Sequence, residues 1–140
     1  MPFDGSEYLG KSSSLPSPGL WDSVRRFVRA FIPITPGPDP NQGMLTVQLL
    51  VTARALIEDD RNWIQHDYET RDDRYCAVGA LRYAARFMGS PGPLLTANKL
   101  MLSVSRERGF SKIEKMNDRS SHARVLSAFD EAISRARIMA

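Results

Sequence analysis

The stretch Tyr75-Cys76-Ala77-Val78-Gly79-Ala80-Leu81-Arg82-Tyr83-Ala84-Ala85-Arg86-Phe87-Met88-Gly89 decides how this chain folds. Cys76, Gly79, Ala80, Tyr83 and Phe87 recur at i, i+3, i+4, i+7 and i+11, the spacing of one stripe on an α-helix. Arg82 and Arg86 mark the wet side. Gly89 is placed to end the helix in the left-handed conformation that a glycine adopts without steric cost. Gly79 and Ala80 carry almost no side chain, so another backbone can approach closely there. The spacing predicts a central helix from about Tyr75 to Met88.

The same period appears on both sides of it. Upstream, Leu45, Leu49, Ala53 and Leu56 form one stripe with Leu50 and Ile57 beside it, and Glu58-Asp59-Asp60 ends the run. Downstream, Ser90-Pro91-Gly92-Pro93 is a turn with Pro93 suited to a first helical position. Leu94, Ala97, Leu100, Met101 and Val104 then give a helix stopped at Gly109. Phe110 to Met116 reads as a short connector of about one helical turn. A last helix starts after Ser120 or Ser121 and buries Val125, Leu126, Phe129, Ala132 and Ile133. No segment alternates with period two for more than a few residues. The expected fold is all-α, a bundle of about four main helices.

Residues 1–43 differ in kind. Ser12-Ser13-Ser14 and six prolines between Pro16 and Pro40 describe a flexible leader that builds no core. One amphipathic island, Leu20 to Ile32, sets Trp21, Val24, Val28 and Phe31 against Arg25, Arg26 and Arg29. It is expected to dock on the main domain, with partner binding or contact with a membrane surface as the alternatives. The expected division is therefore a leader over 1–43 and a helical domain over 44–140.

With 140 residues, 42% hydrophobic and 25% charged, the chain is sized for one ordinary globular domain. One cysteine excludes an internal disulfide, and no metal-ligand spacing joins it to His66 or His122, so no metal and no cofactor is expected. The N-terminus lacks the apolar core of a secretory signal, and a cytoplasmic location follows as the expectation. Charge is polarised. Positions 58–74 hold seven carboxylates against Arg61, Arg71 and Arg74, while 101–140 carry eight basic and five acidic residues. The basic set Arg106, Arg108, Lys112, Lys115, Arg119 and Arg124 has only Phe110 nearby, too little for a nucleobase-stacking platform.

Chemistry could gather at four landmarks: Trp63 with Gln65, Cys76, Asn117-Asp118, and His122. Cys76 in the first turn of its helix would feel free N–H groups and the helix dipole, which lower a thiol's pKa. His122 shares a face with Leu126, Phe129 and Ile133, and Asp118 lies four residues before it. Cys76, His122 and Asp118 could thus be nucleophile, base and orienter. The competing reading makes Cys76 a small buried hydrophobe, Trp63 a core plug, Gln65 a brace for loop backbone, and Asn117-Asp118 turn chemistry before a capped helix.

The ordered set Trp63-Ile64-Gln65, Cys76-Ala77-Val78-Gly79-Ala80-Leu81, Asn117-Asp118, Ser121-His122, Val125-Leu126 and Asp130-Glu131-Ala132-Ile133 resembles a family of small uncharacterised bacterial and phage proteins, a domain-of-unknown-function group. The resemblance covers roughly 44–136. It departs at His66, where a glycine-like residue is expected after the glutamine, and at Lys115-Met116, where a tryptophan often precedes the Asn-Asp pair. Such a family implies no activity. It marks which residues to test, and Trp63, Gln65 and Asn117 are the candidate binding residues. The function expected is a macromolecule-binding or regulatory module with a protein partner; nucleic acid is the weaker alternative. A thiol-dependent hydrolase or transferase using Cys76 and His122 is the alternative of a different class.

Overall fold

A computed structural model describes residues 42–140. Residues 1–41, with the amphipathic island, lie outside the described residues; Gln42 and Gly43, expected to end the leader, are the first residues of a helix. Five α-helices follow in order: α1 Gln42–Leu56, α2 Ala77–Met88, α3 Gly92–Glu107, α4 Ile113–Arg119 and α5 His122–Met139. A 3-10 turn, Asp60–Asn62, follows α1. No strand forms among the described residues; isolated bridges pair Trp63 and Glu69 with Tyr75. The all-α expectation holds.

The centre of the bundle is α1 rather than α2. Leu49, Leu50, Ala53 and Leu56 are fully buried as their stripe predicts, but Thr46, Val47, Gln48, Thr52 and Ala55 are buried as well. The helix is enclosed because α2, α3 and α5 all pack on it. Thr46 tolerates burial by donating its hydroxyl to the Gln42 carbonyl at 2.8 Å. Phe129 and Leu81 close the core from α5 and α2, both fully buried. Each such side chain contributes about 1.5–3 kcal/mol by leaving water.

The helix ends follow the local chemistry with two shifts. Gly89 closes α2 at φ 68°, donating to the Ala85 carbonyl, and Ser121 caps α5 by accepting from Arg124 N–H at 3.2 Å. Cys76 is not inside the first turn of α2. It is the N-cap, with extended backbone, and its Sγ accepts from Gly79 N–H at 3.4 Å. The second shift is larger. Asn117 and Asp118 belong to α4, so the expected turn there is a helix of seven residues, and four main helices become four plus a short one.

The segment from Ile57 to Cys76 is ordered without being helical. Tyr75 donates to Asn62 O at 2.9 Å and accepts from Ile64 N–H at 3.1 Å, while Cys76 N–H donates to Tyr68 O at 3.1 Å. The last contact explains Gly79. A Cβ at that position would overlap the Tyr68 carbonyl oxygen, so the close approach allowed by the glycine is made by this loop.

Candidate functional site

The loop 57–76, α2 and α4 meet around one side chain. Asn117, fully buried on α4, accepts through Oδ1 from Trp63 Nε1–H at 2.8 Å and from Ala77 N–H at 3.0 Å. Its Nδ2 donates to Ile64 O at 3.1 Å. One amide thereby satisfies an indole, the first free N–H of α2 and a loop carbonyl. Gln65 works in the opposite direction. Its Nε2 lies 3.1 Å from each of the carbonyls of Asn117, Asp118 and Ser120 at the end of α4, groups with no partner inside their own helix. The two amides lace loop and helix together from both sides.

Asp118 completes the lacing. Its Oδ1 accepts from His66 N–H at 2.7 Å and from Asn117 Nδ2, and its Oδ2 lies 3.5 Å from His66 Nδ1. His66 is held at φ 70°, in the left-handed region. That region favours glycine, since a side chain there meets the backbone.

His122 is turned elsewhere. Its Nε2 is 2.6 Å from the carbonyl oxygen of Ile57, and its ring lies 5.2 Å from the Trp63 ring, tilted by 45°. The imidazole thus ties the start of α5 to the end of α1. The hydrogen bonds of Cys76, His122 and Asp118 run to Gly79, Ile57 and His66 respectively, so none of them links the three. The thiol departs from its expected character too. Burial pushes the Cys76 pKa up, and the Asp118 and Glu114 charges add to this, against the lowering by the Gly79 and Val78 N–H groups. The N–H groups act as anticipated and are outweighed by burial.

Beside this lacing is a cavity of about 200 Å³ lined by His66, Asp67, Tyr68, Cys76, Glu114 and Asp118. It brings Cys76 and Asp118 to one wall, with His66 rather than His122 as the imidazole. Tyr68 donates to Glu114 at 3.1 Å across it, beneath the Arg82 guanidinium, which lies 4.5 Å from the Tyr68 ring centre. Among the described residues no set of three or more His, Cys, Asp or Glu side chains is gathered to hold a metal ion.

A second, more open concavity of about 400 Å³ runs between α3 and α4. Leu95, Leu102 and Ile113 supply its apolar surface; Lys99, Arg106 and Lys112 supply charge. Leu95 is 62% exposed, an unusual position for a leucine on a helix whose other face is core. Sequence reasoning placed Arg106 and Lys112 in a basic set but passed over Leu95, Lys99, Leu102 and Ile113 in favour of the Ala97, Met101 and Val104 face. The available signal was the pair of leucines, Leu95 and Leu102, lying off that face.

Trp63, Gln65, Cys76, Gly79, Asn117 and His122 all take part in joining the loop to the helices. A family model described as a family of unknown function, DUF6197, matches residues 43–135. The chain belongs to that family. No curated protein and no solved structure matches it. In this DUF6197 protein Glu114 is common to both concavities, lining the α3–α4 groove while it accepts from Tyr68 beside the lacing. Among the described residues no helix is long and apolar enough to cross a membrane.

Proposed function

We propose that this DUF6197 protein is a protein-binding module with a regulatory rather than catalytic role, acting in a bacterial or phage-infected cytoplasm through the groove between α3 and α4. One observation carries the reading. The groove sets the exposed Leu95 and the half-buried Leu102 beside Lys99, Arg106 and Lys112, three cations that lie together with no ion-pair partner among the described residues. Contiguous apolar surface rimmed by polar groups is the usual form of a docking site. The lone cysteine and the resemblance to bacterial and phage proteins support the compartment.

The thiol-dependent reading draws no support from the geometry. A nucleophilic cysteine needs a base within hydrogen-bond reach and a lowered pKa; Cys76 is buried with its pKa raised, and His122 is engaged with Ile57 O.

Affinity purification of the full chain from the cells that express it, beside Leu102→Asp and Ile138→Asp, tests the proposal. Ile138 is 82% exposed and outside the groove. The expected result is a partner retained by the wild-type protein and by Ile138→Asp and lost with Leu102→Asp. Equal recovery with all three would remove the groove from the function.

A further inference from the structure

The arrangement of the groove specifies what fits it. Along α3 the lining residues Leu95, Lys99, Leu102 and Arg106 fall at i, i+4, i+7 and i+11, which is a single stripe of the helix. Apolar and cationic side chains alternate along it. Leu95 and Leu102 are seven apart, and Lys99 and Arg106 are seven apart, so each kind repeats every two turns, about 10 Å. The whole stripe spans about 16 Å. Across the groove α4 contributes Ile113 to the apolar floor, Lys112 at its cap and one carboxylate, Glu114.

From this, and resting on the docking role just proposed, we infer that the occupant of the α3–α4 groove is an acidic amphipathic α-helix of a partner protein, carrying leucine-like residues and carboxylates each at seven-residue spacing. Such a helix laid along α3 meets Leu95 and Leu102 with its apolar residues and Lys99 and Arg106 with its carboxylates. That is the pattern by which helices choose partners at a shared seam. The period matters as much as the charge. A nucleic acid would satisfy the cations and leave Leu95 and Leu102 against phosphate and sugar. An acyl chain would cover the leucines but offers no second carboxylate two turns on. The chain's own amphipathic stretch, Leu20 to Ile32, has Arg25, Arg26 and Arg29 against Asp22 and carries the same sign as the groove.

The test uses the full chain, isotopically labelled, and four synthetic 21-residue helical peptides with leucine at heptad spacing. Their remaining seam positions are Glu, Gln or Lys, and the fourth is the Glu peptide with its order scrambled. Amide shifts of the protein report where each binds, and fluorescence anisotropy at low and high salt reports how tightly. The Glu peptide is expected to shift Leu95, Lys99, Leu102, Arg106 and Ile113. It should bind about tenfold more tightly than the Gln peptide, a margin set by three exposed charge pairs. That margin should shrink as salt screens it. The Lys and scrambled peptides should leave the groove unshifted. The triple charge reversal K99E/R106E/K112E should exchange the preference for Glu for a preference for Lys.

If the Gln peptide enters the groove as tightly as the Glu peptide, the occupant is not acidic and the inference falls, while the docking role stands. The scrambled peptide binding equally would refute the helical repeat. Should duplex DNA or anionic phosphatidylglycerol vesicles shift the same residues when no peptide does, the partner is of another class. No shift in the groove with any probe, together with an unchanged partner for Leu102→Asp, would overturn both the inference and the role beneath it.

Discussion

Trp63 and Asn117, 54 positions apart, are joined by a 2.8 Å hydrogen bond from the indole Nε1–H to the amide Oδ1, and that oxygen also receives the first N–H of α2. A loop, a short helix and the start of a longer helix therefore depend on one buried atom. This relationship accounts for the tryptophan, the asparagine and the position of α2 together.

Removing Asn117 should cost far more than a surface change. Asn117→Ala leaves the Trp63 indole N–H, the Ala77 N–H and the Ile64 carbonyl without their partner, and buried groups in that condition cost about 1–3 kcal/mol each before relaxation. We expect a loss of about 3–4 kcal/mol in urea unfolding. Trp63→Phe loses a single bond of the network and should cost about 1 kcal/mol beyond its packing change. Equal, small losses for both variants would show that the amide is not the hub.

Gly79→Ala should destabilise by about 2–3 kcal/mol, because the new methyl group overlaps the Tyr68 carbonyl and one of the two backbones has to move. The accompanying sign is local. The Cys76 amide, which donates to that carbonyl at 3.1 Å, should exchange its hydrogen faster in the variant. A variant with unaltered exchange and stability would contradict the close approach.

Cys76 should alkylate slowly at neutral pH in the folded protein, with a rate that rises only above the ordinary thiol value of 9.0. Its folded pKa is raised, so the folded state holds the proton more tightly than the unfolded one. The corresponding stability is complete below 9.0 and declines as pH rises toward the raised folded value. His122→Ala should leave the alkylation profile unmoved, since His122 is bonded to Ile57. Rapid labelling at pH 7 that slows in His122→Ala would restore the thiol-enzyme reading.

At position 66 the backbone is left-handed, so the side chain there is tolerated at some cost. His66→Gly should be at least as stable as the parent, although it gives up the imidazole beside Asp118. His66→Val should fall below it by about 1–2 kcal/mol, the penalty a β-branched residue meets at positive φ. Thermal unfolding of the pair decides this, and a Val variant matching the Gly variant would mean that the loop relaxes freely.

The helices were legible because burial imprints its period on the chain. Leu49, Ala53 and Leu56 point inward as spaced, Leu45 being only half-buried, and Gly89 and Ser121 end and begin helices for the local reasons their types suggest. Asn117 was misread as part of a turn because its partners lie 40 to 54 residues away, and a local rule records only that asparagine is polar. Asp118 and His122 share a neighbourhood in sequence yet face different elements, since Asp118 ends α4 and His122 opens α5 across the kink at Ser120. The pairing of Asp118 with His66 had one trace in the sequence, the histidine standing in a glycine-like place, and its meaning required the φ angle. The enclosure of α1 was illegible for a related reason: Thr46 and Thr52 are buried by neighbours on all sides, which an amphipathic stripe does not express.

The lacing of α4 bears on events beyond its own atoms. Seven residues are too few to hold a helix alone in water, so α4 depends on its anchors: Asn117 and Gln65 on the loop, and Ile113 and Met116 in the core. The same helix supplies Ile113 and Glu114 to the groove on α3. Loop opening therefore loosens one wall of the groove, and a ligand there would meet an affinity scaled by the fraction of time that wall is in place. Amino acids far from a partner's footprint would then influence its residence on the protein, and the Trp63–Gln65–Asn117 lacing would act as a tension setting for a surface that it never touches.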